Sequence, residues 1–219
     1  MRILALDAAT QTGYAVGDNR SLENRSIESG IFKMPKRDVL GERLVIFHDT
    51  LSELIEHYKP DLIAYERPYV PAPGAPRGAV MVERAVAILS RSASIGQAVG
   101  ILRAEAKKDG PPPIDVNTLN FLQKVEGMLI YTATARKLPY EAYASASWRK
   151  TALGYSRAPK GSPDGFLKKA MKTRAVGLGF DPQSYDESDA IGILIHALHG
   201  PPANERAQGD LLEMAREIL

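Results

Sequence analysis

The chain has 219 residues, 44% of them hydrophobic, and a net charge of +2, enough apolar material for one large domain or one domain with an insertion. It contains no cysteine, which excludes disulfides, cysteine-ligated zinc and cysteine nucleophiles and fits a reducing compartment. No stretch approaches the roughly 18 apolar residues of a membrane span, and the start MRILALDAATQ reads as a strand rather than a signal peptide, so a cytoplasmic protein is expected.

The first elements form a meander. RILALDA (2–8), TGYAVGD (12–18) and RSIESGIFKM (25–34) are separated by short turns, with Gly17, Asp18 and Asn19 between the second and third. Three antiparallel strands are expected. GERLVIFHDTLSELIEHYKP (41–60) is apolar at 44, 47, 51, 54, 55 and 58, a helical period stopped by Pro60. DLIAYE (61–66) suits a buried parallel strand. RPYVPAPGAPRGA (67–79) is a Pro/Gly-rich loop. Residues 80–108 read as a helix, broken by KKDGPPPID (107–115), and a second helix is expected over about 118–137. YEAYASA (140–146) reads as a strand, SRAPKGSPDG (156–165) as a loop and 166–178 as a helix. A last core helix spans 186–199, and a short tail helix follows within 200–219. This is an α/β arrangement.

Charge is unevenly spread. Residues 149–174 hold Arg149, Lys150, Arg157, Lys160, Lys168, Lys169, Lys172 and Arg174 against one acid, Asp164. That segment is +7 and the rest of the chain −5. It reads either as a solvated helix face or as the footprint of a polyanionic partner.

Four acids stand at positions that carry chemistry. Asp7 closes the first strand, Glu66 closes the strand after the first long helix, and Asp186 and Asp189 open the last core helix. Sites in open α/β sheets collect at strand ends, so three segments can converge there. Four carboxylates together repel unless a cation joins them, and oxygen-only ligands suit Mg²⁺ or Mn²⁺. Asp186 and Asp189, spaced i and i+3, share a helix face. Such a set can hold two ions for in-line displacement at a phosphodiester. Taken singly, each acid has a plainer explanation. Asp186 or Asp189 can cap the helix, Asp7 can sit in a turn, and Glu66 can pair with Arg67. Trp148 is expected in the core, and His196 is expected to be packed or capping.

These stretches together resemble the RuvC-type Holliday-junction resolvases of the RNase H-like superfamily. ILALDAATQTGYAV resembles that family's opening strand, turn and Gly-Tyr second strand. DLIAYERPY resembles its strand ending in the second catalytic acid, and DESDAIGILIHAL its closing Asp-x-x-Asp-Ala helix. FLQKVEGMLIYTATARKLPYEAYASASWRKTALG is similar to its helix-strand-helix stretch before the basic loop. The match touches most of 1–66 and 118–199.

The resemblance implies an RNase H-like fold over 1–199, with a mixed central sheet of three antiparallel strands plus parallel strands, flanked by helices. It makes Asp7, Glu66, Asp186 and Asp189 the metal ligands of a Mg²⁺- or Mn²⁺-dependent endonuclease with two ions per site. It places Lys160 near the scissile phosphate and Tyr69 at the junction centre. Arg149, Lys150, Lys168, Lys169 and Lys172 of the basic segment are the further DNA-binding candidates. The expected partner is a four-way DNA junction, cut symmetrically by a homodimer to leave 5′-phosphate and 3′-hydroxyl ends.

Two departures stand out. Ala8-Ala9 replaces the family's Pro-Gly, and about 40 extra residues (77–117) form a helical insertion. Its helix 80–106 carries Val82, Val86, Leu89, Ala93, Ala98 and Leu102, a stripe that could enlarge the dimer interface. The rival readings are another RNase H-like nuclease acting on flaps or RNA–DNA hybrids, and a non-catalytic junction-binding protein. A sugar-kinase or actin-like ATPase is excluded by the chain's length and the lack of a Gly-rich adenosine motif.

Overall fold

The computed structural model describes residues 1–35, 39–68 and 116–199. The insertion 77–117 with its helix 80–106 lies outside the described residues apart from the start of the helix at 116, as do Tyr69 and the tail 200–219. The described elements are β1 (Ile3–Asp7), β2 (Gln11–Gly17), α1 (Asn19–Glu23), β3 (Glu28–Lys33), α2 (Leu40–Tyr58), β4 (Leu62–Glu66), α3 (Val116–Ala135), β5 (Tyr140–Tyr143), α4 (Ser145–Leu153), α5 (Phe166–Gly177) and α6 (Tyr185–His199).

The five strands form one sheet in the order β3-β2-β1-β4-β5. β1 pairs antiparallel with β2, and β2 with β3, while β1, β4 and β5 run parallel. This is the expected mixed sheet.

The central strands are apolar on both faces because helices cover both. Ile3 and Ala5 of β1, with Leu62 and Ala64 of β4, pack into one core with α4, α5 and α6. Leu4, Leu6, Ile63 and Tyr65 pack into the other, with Phe47 and Leu51 of α2 and Val125 and Leu129 of α3. Strand side chains alternate with period two. Asp7 therefore continues the Ile3–Ala5 face, and Glu66 the Leu62–Ala64 face. Both catalytic candidates belong to the face that α6 covers.

α6 is buried from Glu187 through His196 because the sheet lies on one side and α4 and α5 on the other. Gly192 makes that sandwich possible. A Cβ there would lie 2.7 Å from a ring carbon of Trp148 on α4 and 2.9 Å from the sulfur of Met171 on α5.

Two expectations need correction. The turn at Gly17–Asn19 contains a short helix, α1, because Asp18 accepts a hydrogen bond from the Ser21 amide at 2.8 Å and caps it. The strand expected over 140–146 stops at Tyr143, and Ser145 starts α4, the second helix of the helix-strand-helix stretch that the resemblance implies. The small, alternating YASAS stretch mimics a strand, but Trp148 and Ala152 are spaced one helical turn apart and are both buried.

Candidate active site

β1 and β4 run parallel with Leu6 beside Tyr65, so the next residues, Asp7 and Glu66, end neighbouring strands at the same edge. Opposite Asp7 on β2 stands Gly13. A Cβ on Gly13 would fall 2.0 Å from the Asp186 carbonyl oxygen and 2.7 Å from the Glu187 nitrogen. The bare glycine lets the first turn of α6 descend onto the β1–β2 pair and bring Asp186 and Asp189 to the strand ends.

The acids at the mouth of α6 divide the work. Capping is supplied by Ser184, whose hydroxyl accepts from the Glu187 amide at 3.0 Å, and by Glu187, whose carboxylate accepts from the Gln183 amide at 2.8 Å and the Ser29 hydroxyl at 2.7 Å. These contacts resemble a capping box. Asp186 turns elsewhere: it accepts from Gln11 Nε2 at 2.7 Å and pairs with Lys168 Nζ at 3.4 Å. Asp189 is 3% exposed, one turn further in. The helix is capped without either aspartate.

Glu66 is held at both oxygens. Ser145 Oγ donates to Oε1, and Trp148 Nε1 donates to Oε2 at 2.8 Å. Trp148 is fully buried as expected, yet its N–H also orients a candidate ligand.

The four carboxylates feel one another. Burial, then Glu66, Asp189 and Asp186, push Asp7 well above the usual carboxylate range, opposed by Lys168. Burial raises Asp189 to about 7, with Glu66 and Asp186 adding to the rise and Arg149 and Lys168 opposing it. Burial draws the Lys168 ammonium down, but Asp186, Asp189 and Asp7 more than offset this and leave it raised. Lys168 is thus a cation built into the acidic cluster.

The basic segment is sorted by helix geometry. Lys168 and Lys172, four apart on α5, face the start of α6, where Lys172 Nζ stands 6.0 Å from the Tyr185 ring centre. Lys169 faces a cleft between α4 and α5. Arg149 lies over the Trp148 ring at 4.8 Å and reaches Asp189 electrostatically. Lys150 is exposed near the end of α4, and Lys160 is exposed on the loop before α5. The cations acting on Asp7 and Asp189 are Lys168 and Arg149. His196 is buried, with Nδ1 2.7 Å from Thr151 Oγ1 and its ring edge-on to Tyr143.

Four clustered carboxylates, two of them pushed toward protonation, match the chemistry of a hard divalent cation with oxygen ligands. Among the described residues no three acidic or histidine side chains already surround one point as ligands. Gln11, Lys168, Ser145 and Trp148 instead supply the hydrogen bonds that Asp186 and Glu66 accept.

Sequence reading could have found the shared face from strand parity. It missed Gln11 and Ser145, whose partners lie far along the chain, and it had Gly13 only as part of the Gly-Tyr motif.

The pH dependence of Asp189 separates a chemical role from a capping one. A carboxyl whose pKa is higher folded than unfolded removes stability as pH rises from about 4 to about 7. Asp189→Asn is therefore expected to melt above the wild type at pH 8 and level with it at pH 4. A cap would show the reverse, a loss of about 1 kcal/mol at neutral pH. Thermal unfolding at the two pH values distinguishes them.

Residues 3–100 match the family model described as Crossover junction endodeoxyribonuclease RuvC. The chain is 30% identical over 196 residues to the crossover junction endodeoxyribonuclease RuvC of Thermomicrobium roseum, covering 89% of this chain and 91% of that protein. It is 27% identical over 202 residues to that of Ruegeria pomeroyi, covering 91% and 93%. In fold it is similar to Thermus thermophilus RuvC in complex with Holliday junction substrate, with a TM-score of 0.56 at 15% identity over 91% of this chain and 94% of that one. The sheet and helices are thus the RNase H-like arrangement of that protein.

Proposed function

This chain belongs to the RuvC family of crossover junction endodeoxyribonucleases, and we propose that it resolves four-way DNA junctions by cutting phosphodiester bonds at Asp7, Glu66, Asp186 and Asp189. The observation that carries the assignment to these residues is the placement of Asp7 and Glu66 at adjoining ends of parallel strands, on the face where Gly13 admits the first turn of α6. The reading is metal-dependent hydrolysis, with the four carboxylates as oxygen ligands for Mg²⁺ or Mn²⁺, two ions per site. When bound, the cations lower the pKa of the attacking water and offset charge on the leaving oxygen.

The chain's own residues prepare that step. Ser145 and Trp148 fix the Glu66 carboxylate, and Gln11 fixes Asp186. Burial raises the Asp189 carboxyl to about 7, so a cation bound there would displace a proton from it. Lys168 and Arg149 bring positive charge to the edge where a phosphate enters. Lys150, Lys160, Lys169 and Lys172 extend it along the DNA, and Tyr69 takes the junction centre. Two such sites in a C2 dimer match the symmetry of a four-way junction.

Lys168→Ala combined with Lys172→Ala is expected to weaken junction binding and to flatten its salt dependence. Each lost phosphate contact removes about 0.9 from the log–log slope. An unchanged slope assigns these lysines to a solvated face. The reading as a whole is tested by mapping nicks on a junction with a fixed crossover point. Symmetric paired nicks with directly ligatable ends, made by a species of dimer mass in light scattering, are expected. Single unpaired cuts, or a monomer as active as the bulk sample, would contradict it.

A further inference from the structure

A second feature of the basic segment lies on the other side of α5. A cleft of about 760 Å³ opens between α4 and α5, with Tyr155, Phe166, Lys169, Thr173 and Arg174 among its lining residues. Two glycines bracket the loop beside it. Gly154 ends α4 at φ +87°, and Gly165 precedes α5 at φ +74°, a left-handed conformation that other residues adopt at a cost. The loop between them starts at Tyr155 and delivers the chain to Phe166. Those two rings close it, with centroids 6.1 Å apart and planes tilted by 35°, as in a compact surface loop with neighbouring ends. Arg157 and Lys160 sit on the loop, and among the described residues no acid lines the cleft.

The cleft and the carboxylates share α5 as a wall. Lys168 and Lys169 are successive residues, about 100° apart around a helix of 3.6 residues per turn. Lys168 meets Asp186, and Lys169 lines the cleft. A strand held at the carboxylates needs to cross only one helix, about 10 Å wide, to place a neighbouring nucleotide there. An aromatic surface beside two cations is the combination that binds single-stranded nucleic acid, through stacking and phosphate pairing. A base inside a duplex has both faces occupied and cannot use it.

We propose that this cleft binds one unpaired nucleotide of the strand being cut, with its base on the Tyr155–Phe166 pair and its phosphate at Lys169 and Arg174. The choice of DNA as the polymer rests on the nuclease reading; the cleft's preference for an unpaired nucleotide does not.

The test uses the full chain in EDTA, so that no strand is cut. A twelve-nucleotide single strand carrying one 5-iodouracil is irradiated with the protein, and the adduct is mapped by mass spectrometry. An adduct at Tyr155 or Phe166 is expected; adducts confined to other residues overturn the proposal. Affinity for the unmodified strand is measured in parallel by fluorescence anisotropy. Tyr155→Ala is expected to weaken it about tenfold, the scale of one lost stacking contact, and Tyr155→Phe to restore it. Lys169→Ala is expected to lower the salt slope by about 0.7, the value for single strands. Unchanged affinity in Tyr155→Ala and Lys169→Ala, or equal binding of blunt duplex, also overturns it. Junction cutting by the wild type with Mg²⁺ is scored separately, so loss of the nuclease reading with single-strand binding intact is distinguishable from loss of the cleft.

Discussion

Asp7→Asn is expected to abolish junction cutting while leaving junction binding within a few-fold of wild type. Asparagine keeps the shape but loses the anionic oxygen. Loss of an outer partner of a metal ligand costs about 10- to 100-fold, so loss of a ligand is expected to exceed about 1,000-fold. The basic residues of α4 and α5 are untouched, which preserves binding. The same substitution is expected to stabilise the fold at neutral pH. Burial, Glu66, Asp189 and Asp186 all resist ionisation of Asp7. A raised folded pKa means stability is lost as pH climbs out of the ordinary carboxylate range, and asparagine removes that loss. Mg²⁺ is expected to raise the melting temperature of the wild type and not of the variant, because a ligand stabilises only the state that binds it. Retained Mg²⁺-dependent nicking in Asp7→Asn would remove Asp7 from the reaction.

Gly13→Ala is expected to be the most damaging of the glycine-to-alanine changes among the described residues. The new Cβ would meet the carbonyl carbon of Asp186 at 2.3 Å and its oxygen at 2.0 Å, against about 3.5–4.0 Å for ordinary carbon contacts. The obstructing atoms are backbone, so the first turn of α6 or the β1–β2 edge must shift by more than an ångström. Overpacking of this kind costs about 1–3 kcal/mol. The catalytic cost is larger, because about 1 Å of misplacement is worth on the order of 100-fold in rate. Gly127→Ala provides the control. Gly127 lies within α3 with nothing among the described residues within 4 Å of its Cβ position, so alanine there is expected to be neutral or stabilising by about 0.4–1 kcal/mol. Circular dichroism and nicking rates on both variants settle the comparison. Full activity in Gly13→Ala would mean the close approach of α6 is dispensable.

Much of this site was readable before folding. An acid ending an apolar strand, twice, with an Asp-x-x-Asp at a helix start, marks three segments that can meet. Strand parity even states the face, since Ile3, Ala5 and Asp7 alternate with Leu4 and Leu6. Other parts are tertiary and leave little trace in sequence. Ser145 and Trp148 reach Glu66 from 79 and 82 residues away, and Gln11 reaches Asp186 from 175. The lysines show the limit of charge counting. Lys160, Lys168 and Lys169 are equivalent in a charge tally, but a helix turns successive side chains by about 100°, and only its docking decides which meets the acids. Glu187, between the two aspartates, is a third carboxylate in the same stretch of sequence. It caps α6 because its carboxylate lies beside the Gln183 amide and the Ser29 hydroxyl.

The most direct measurement compares nicking of a mobile four-way junction with nicking of linear duplex and RNA–DNA hybrid of matched sequence, each in Mg²⁺ and in EDTA. The account predicts paired nicks in the junction with Mg²⁺, none in EDTA and little cutting of the other two. Preferential cutting of the hybrid, or junction nicking that persists in EDTA, would contradict it.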